Sequence, residues 1–172
     1  MRISKAYWIW GQFPIKDTLY LNSIKDHVQS ILNSPQFDIH LTLCGPFAEL
    51  NSDFLNSLSN ISKTNQSITL NLEKFDFCDQ IFTSFFIKTD IPTELNNLRN
   101  NIYKIAKYNI KKKYVPHISL AYGNHKKSQK NLLISKMPKL KKEILISKIA
   151  LVDVNEELDI WRIMNTYNLQ MI

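Results

Sequence analysis

Two short segments of this chain share one pattern: His40-Leu41-Thr42-Leu43 and His117-Ile118-Ser119-Leu120. Each is a histidine, an apolar residue, a hydroxyl residue and an apolar residue. A strand turns successive side chains to opposite faces, so residues two apart share a face. Each segment, as a strand, sets an imidazole beside a hydroxyl and turns its apolar residues toward a core. A random histidine fits this pattern on the order of a few percent of the time. The chain holds only four histidines, and two of them fit. The repeat therefore predicts two similar halves, each bringing one such strand to a common cleft.

A chain of 172 residues fits a single two-lobed domain spanning residues 1–172. Its hydrophobic share of 44% and charged share of 22% are those of a globular protein. No apolar run is long enough to span a bilayer, so no membrane partner is expected. The start, Met1 to Tyr7, lacks the apolar core of a signal peptide. Cys44 and Cys78 make neither a disulfide framework nor a metal-ligand cluster, so a reduced, cytoplasmic setting is expected. The formal net charge is +7, with lysines clustered at Lys111-Lys112-Lys113, at Lys126-Lys127 and from Lys136 through Lys142. These clusters bracket the second histidine segment and are expected to steer an anionic substrate toward it.

Hydrophobic spacing predicts the order βαβαββαβαββ. Ala6 to Trp10 reads as a strand, and Leu19 to Leu32 as a helix ended by Pro35. Phe37 to Leu43 reads as a strand broken by Gly45-Pro46. Asp53 to Ile61 reads as a helix capped by Asn51 or Ser52. Ser67 to Phe77 and Ile81 to Thr89 read as a hairpin joined at Cys78-Asp79-Gln80. A helix follows from Pro92 to about Tyr108, and Pro116 leads into the second histidine strand. Lys126 to Ser135 reads as a short helix, then Ile144 to Val154 and Asp159 to Leu169 as two closing strands. The fold class is α+β: a duplicated, two-lobed arrangement of two antiparallel sheets flanking a central cleft, with helices outside.

The paired segments suit phosphodiester hydrolysis without a metal. Histidine titrates near neutrality, so one imidazole serves as base toward water and the other as acid toward the leaving oxygen. The hydroxyls of Thr42 and Ser119 donate to the non-bridging oxygens, where charge gathers. The two segments are too alike to choose between the roles by pattern; His117 is preferred as the base and His40 as the acid. A zinc site lacks a third ligand at familiar spacing and a His-Glu-x-x-His helix. A Ser119 nucleophile lacks the Gly-x-Ser-x-Gly elbow. His27 and His125 read as surface residues. Trp10 walls the cleft, stacks a base or fills the core; Phe82 is a second candidate of the same kind.

The two segments resemble the paired signature of the two-histidine (2H) phosphoesterase superfamily, and within it the cyclic phosphodiesterases typified by the plant enzyme. Tyr7-Trp8-Ile9-Trp10 looks like the opening strand of that family. Phe37 to Leu43 fits the first motif. Tyr114-Val115-Pro116-His117-Ile118-Ser119-Leu120-Ala121-Tyr122 fits the second, including the preceding proline and the trailing tyrosine. Ile149-Ala150-Leu151 and Ile160-Trp161 fit the C-terminal hairpin. The resemblance implies the LigT-like fold, with His40 and His117 as the catalytic pair and Thr42 and Ser119 on the phosphate. It places Tyr122 at the substrate, which requires the strand to bend or end near Ala121. It implies no metal and no cofactor.

The implied substrates are small phosphorylated nucleotides. They are nucleoside 2′,3′-cyclic phosphates, giving 2′-phosphates, and ADP-ribose 1″,2″-cyclic phosphate, a by-product of tRNA splicing, giving the 1″-phosphate. A monomer suffices. The plant disulfides have no counterpart, and Asp38-Ile39 stands where plants usually have Val-Pro. The alternatives are a relative acting on RNA ends, 2′–5′ linkages or cyclic dinucleotides, and a module that grips phosphate without cutting it.

Overall fold

Alternation along the strands divides the molecule into a core side and a cleft side. Leu41, Leu43, Ile118 and Leu120 are buried in the main core, each worth about 1.5–3 kcal/mol. The residues between them, Thr42 and Ser119, face the other way into the cleft. The computed structural model describes residues 6–50, 52–108, 113–154 and 161–171. Its elements run β1 (Ala6–Gln12), α1 (Ile15–Leu32), β2 (Leu41–Phe47), α2 (Ser52–Thr64), β3 (Ile68–Asp76), β4 (Phe85–Thr89), α3 (Thr93–Ile105), β5 (His117–Ala121), α4 (Lys127–Lys136), β6 (Glu143–Ile146), β7 (Lys148–Val154) and β8 (Arg162–Asn168).

The strands form an antiparallel α+β sheet in the order β6-β3-β4-β5-β2-β1-β7-β8. It consists of two four-stranded halves joined edge to edge at β5 and β2, the strands of the two motifs. That seam is one residue pair wide, Leu41 opposite Ile118. The two sheets expected from the sequence are thus the halves of one curled sheet. Helix α1 packs on β5 and α3 on β2, so each half is backed by a helix from the other part of the chain.

Several boundaries differ from the sequence reading for physical reasons. Helix α1 starts one turn early, directly after Pro14, whose fixed φ suits a helix start. Its first-turn apolar residues, Ile15 and Leu19, are exposed, so they break the buried periodicity. Strand β2 does not begin until Leu41 and runs through Gly45-Pro46 to Phe47. Beyond Leu41 it pairs only with β1, and a strand with a free side admits proline. The expected strand Ile144–Val154 is two strands in different halves, β6 on β3 and β7 on β1. The break is Ser147, whose amide donates to the Gln12 carbonyl at 2.9 Å and whose carbonyl accepts from Leu169. Asn51, Lys111, Lys112, Asp159 and Ile160 lie outside the described residues.

The connection from β3 to β4 is longer than a tight hairpin. Strand β4 begins at Phe85, and Ile81–Thr83 form a short 3-10 turn instead. Buried Lys130 of α4 pins this loop, donating to the Cys78 carbonyl at 2.8 Å and the Asp79 carboxylate at 2.9 Å. The Gly123 amide donates to the Ile81 carbonyl at 2.9 Å. The loop thereby brings Phe82 and Thr83 to the cleft. Among the described residues no helix is long and apolar enough to cross a membrane.

Candidate active site

The two histidines are held by the same device. His40 Nδ1 donates to the Asp38 carbonyl at 2.6 Å, and His117 Nδ1 to the Val115 carbonyl at 2.9 Å. In both cases the acceptor lies two residues before the ring. A carbonyl only accepts, so the proton of each neutral ring sits on Nδ1 and Nε2 is left as the basic nitrogen. The repeat seen in the sequence is therefore also a repeat of side-chain geometry.

Their surroundings differ. His40 is 4% exposed, and the Trp10 indole stacks on it. Burial pushes the His40 pKa down to about 4, helped by the charges of His117 and Lys25 and opposed by the Asp38 carbonyl. His117 is more open. Burial lowers its pKa too, against the Val115 carbonyl. Burial thus favours the neutral form of both rings in the free protein.

The hydroxyls lie beside them. Thr42 is directly opposite Trp10 across the β1–β2 ladder. Ser119 is opposite Phe86, and its Oγ donates to the Phe82 carbonyl at 3.3 Å. Strand β5 ends at Ala121, and Tyr122, just past it, turns into the cleft. Its phenol is buried, which drives its pKa upward, while the neighbouring Ser119 hydroxyl works the other way. The Phe37 ring stacks on Tyr122 at 4.0 Å and meets His40 edge-on at 6.5 Å.

These groups enclose a cavity of about 230 Å³. All seven residues singled out from the sequence line it: Trp10, His40, Thr42, Phe82, His117, Ser119 and Tyr122. Trp8, Thr83, Val154 and Trp161 complete the wall and were not anticipated as site residues. Trp8 carried a signal, since it lies two residues from Trp10 on the same face of β1. Gly45, at φ +129°, makes room for it: a Cβ there would sit 2.8 Å from the Trp8 ring. Trp161 stands 6.0 Å from Trp10, 6.1 Å from Phe82 and 6.1 Å from Tyr122. No local pattern marks it.

Among the described residues no lysine lines this cleft. Lys139, Lys141 and Lys142 line a separate groove beside β3, together with Lys74, Glu73 and Asp76. Lys141 is paired with Asp17 of α1, and Lys74 with Asp76. Among the described residues no three His, Cys, Asp or Glu side chains gather as metal ligands.

Comparison with known proteins bears on this architecture. A family profile described as the 2′-5′ RNA ligase superfamily matches residues 23–157, which include both histidine segments. The chain belongs to that superfamily. Membership supports a phosphoesterase activity in general. No curated protein matches the chain by sequence. Among solved structures, Escherichia coli LigT complexed with 3′-AMP superposes with a TM-score of 0.62 at 13% identity, covering 98% of this chain and 99% of that one. The protein TT0787 of Thermus thermophilus gives a TM-score of 0.67 at 14% identity, covering 96% and 98%. LigT complexed with ATP gives 0.58 at 14% identity, covering 96% and 98%. At such identities the likeness shows a shared fold.

Proposed function

We propose that this superfamily member hydrolyses small cyclic phosphodiesters, nucleoside 2′,3′-cyclic phosphates first and ADP-ribose 1″,2″-cyclic phosphate second. The observation that carries the proposal is the pair of equivalently held imidazoles, each with Nε2 free and a hydroxyl beside it, on one cavity of about 230 Å³. That volume suits a small nucleotide. The aromatic walls suit a flat base.

In this reading Thr42 and Ser119 donate to the non-bridging phosphate oxygens. Ser119 gives up its bond to the Phe82 carbonyl to do so. His117, the more open ring, is reached by water and takes its proton. The water oxygen bonds to phosphorus as the P–O3′ bond breaks. His40 gives a proton to O3′, and the product is the 2′-phosphate. His40 is neutral in the empty cleft, and the bound phosphodiester anion beside Nε2 raises its pKa. In this reading His40 takes up its proton as the substrate binds.

A second reading, cleavage at RNA ends, is favoured by the net charge of +7 and by the lysine groove. It predicts activity on RNA that falls with salt while activity on mononucleotides does not.

The test is hydrolysis of a nucleoside 2′,3′-cyclic phosphate with EDTA present, wild type beside His40→Ala and His117→Ala. Turnover giving the 2′-phosphate and lost in both variants is the expected result. Equal turnover in wild type and variants would end the proposal.

A further inference from the structure

Behind the cleft the backbone that carries Thr42 is irregular. Thr42 pairs with Trp10 and Cys44 with Ile9, so Leu43 has no counterpart on β1. This is a β-bulge, which breaks the ladder and re-aims neighbouring side chains. On its other side β2 meets β5 only at Leu41. The backbone of Thr42 and Leu43 thus sits where ladder bonding is thinnest.

Two side chains from the other half grip it there. The Tyr114 hydroxyl donates to the Thr42 carbonyl at 2.7 Å. Arg99 Nε donates to the Leu43 carbonyl at 2.8 Å. The Arg99 guanidinium lies 3.3 Å over the Tyr114 ring, so the two act as one unit. Arg99 is 4% exposed on α3 and is not part of the cavity wall. Tyr114 is followed directly by Val115, whose carbonyl holds His117 Nδ1. The Tyr114 contact therefore joins the strand of the first motif to the backbone that orients the second histidine.

We propose that Tyr114 and Arg99 are positioning residues that align the two half-sites, holding the bulge that aims Thr42 and tying it to the segment that orients His117. This rests on the reading above, in which Thr42 and His117 serve one phosphate.

Tyr114→Phe keeps the ring on Arg99 and removes only the hydroxyl. Misalignment of this kind is expected to lower kcat on a nucleoside 2′,3′-cyclic phosphate about tenfold with KM changed less than about twofold. In a Thr42→Val background the same change should have a smaller effect than it has alone, because part of it acts through Thr42. Arg99→Lys keeps the charge but not the planar fork, and should lower kcat in the same way. A kcat unchanged in both variants, or an effect of Tyr114→Phe that simply adds to Thr42→Val, overturns the proposal. Amide hydrogen exchange reads the clamp without turnover. Tyr114→Phe should speed exchange in residues 42–44 and 115–118 together, and a change confined to one segment counts against the clamp. An inactive wild type would sink the functional reading, and the exchange result would still decide the clamp.

Discussion

The Trp10 indole lies flat on the His40 imidazole, ring centroids 3.6 Å apart and planes within 6°. The aromatic neighbour of His117 is Phe86, at 5.1 Å and tilted by 58°. Two segments alike in sequence and in hydrogen bonding therefore sit in unequal surroundings.

Removing the plate should undo that difference. Trp10→Ala admits water to His40, and its pKa is expected to rise from about 4 toward 6.5. Trp10→Phe should give a smaller rise. Imidazole NMR titration measures this, and an unmoved His40 would show that Trp10 is not what keeps it dry. The alanine variant should also lose about 3–5 kcal/mol of stability, since Trp10 is buried.

Activity should fall with rising pH. The working state carries one proton on the pair, and burial lowers both histidine pKa values below 6.5. That state is populated between the two macroscopic values and is lost above them. Thus kcat/KM should decline above pH 6.5. The alkaline limb of kcat should lie higher, because bound phosphate raises the His40 pKa. A kcat/KM flat from about pH 5 to 8 would contradict the paired-histidine assignment.

Stability carries the same signature with a definite sign. His40 titrates lower folded than unfolded, so below pH 6.5 the unfolded chain binds the extra proton. Its contribution is complete above pH 6.5 and is lost as pH falls toward 4, by up to about 3 kcal/mol. Urea unfolding at several pH values should show this loss, and His40→Phe should reduce it.

The hydroxyls should matter to rate more than to folding. Ser119→Ala and Thr42→Val each remove one donor to the phosphate, and kcat is expected to fall about 10- to 1,000-fold. Single-turnover kinetics at saturating substrate would check it. A change in KM alone would make these residues binding contacts only.

Gly45 should resist substitution. Its φ is +129°, and an added Cβ would meet Trp8 at 2.8 Å and 2.9 Å and the Tyr7 carbonyl at 3.1 Å. Gly45→Ala is expected to cost at least about 1–3 kcal/mol and to disturb Trp8 in the cleft wall. Thermal unfolding and tryptophan fluorescence would report both effects.

Much of the site was legible because its logic is local. Period two places His117 with Ser119 and Leu120 with Ile118, and nothing distant is needed to see it. The resemblance extended that to Tyr122. Trp161 and Val154 were not legible as site residues, because they reach the cleft only through the pairing of β7 with β1 and the return of the chain past it. Phe82 was foreseen in a hairpin, but its place at the cleft depends on Lys130, 48 positions later in the chain, pinning the loop at Cys78.

The sequence by itself determined the α+β class, the duplication, the element order as far as the fourth helix and the four polar residues of the motifs, since these follow from spacing, proline and short-range alternation. Tertiary structure decided the rest. It split the run from Ile144 to Val154 at Ser147, where the polar pair Ser147-Lys148 does not by itself say that the two ends pair with different halves. It joined the halves through the single pair Leu41 and Ile118, and set Lys139, Lys141 and Lys142 along another groove. It also made the two histidines unequal. Burial depends on which distant ring covers an imidazole, and only the packed fold places Trp10 on His40.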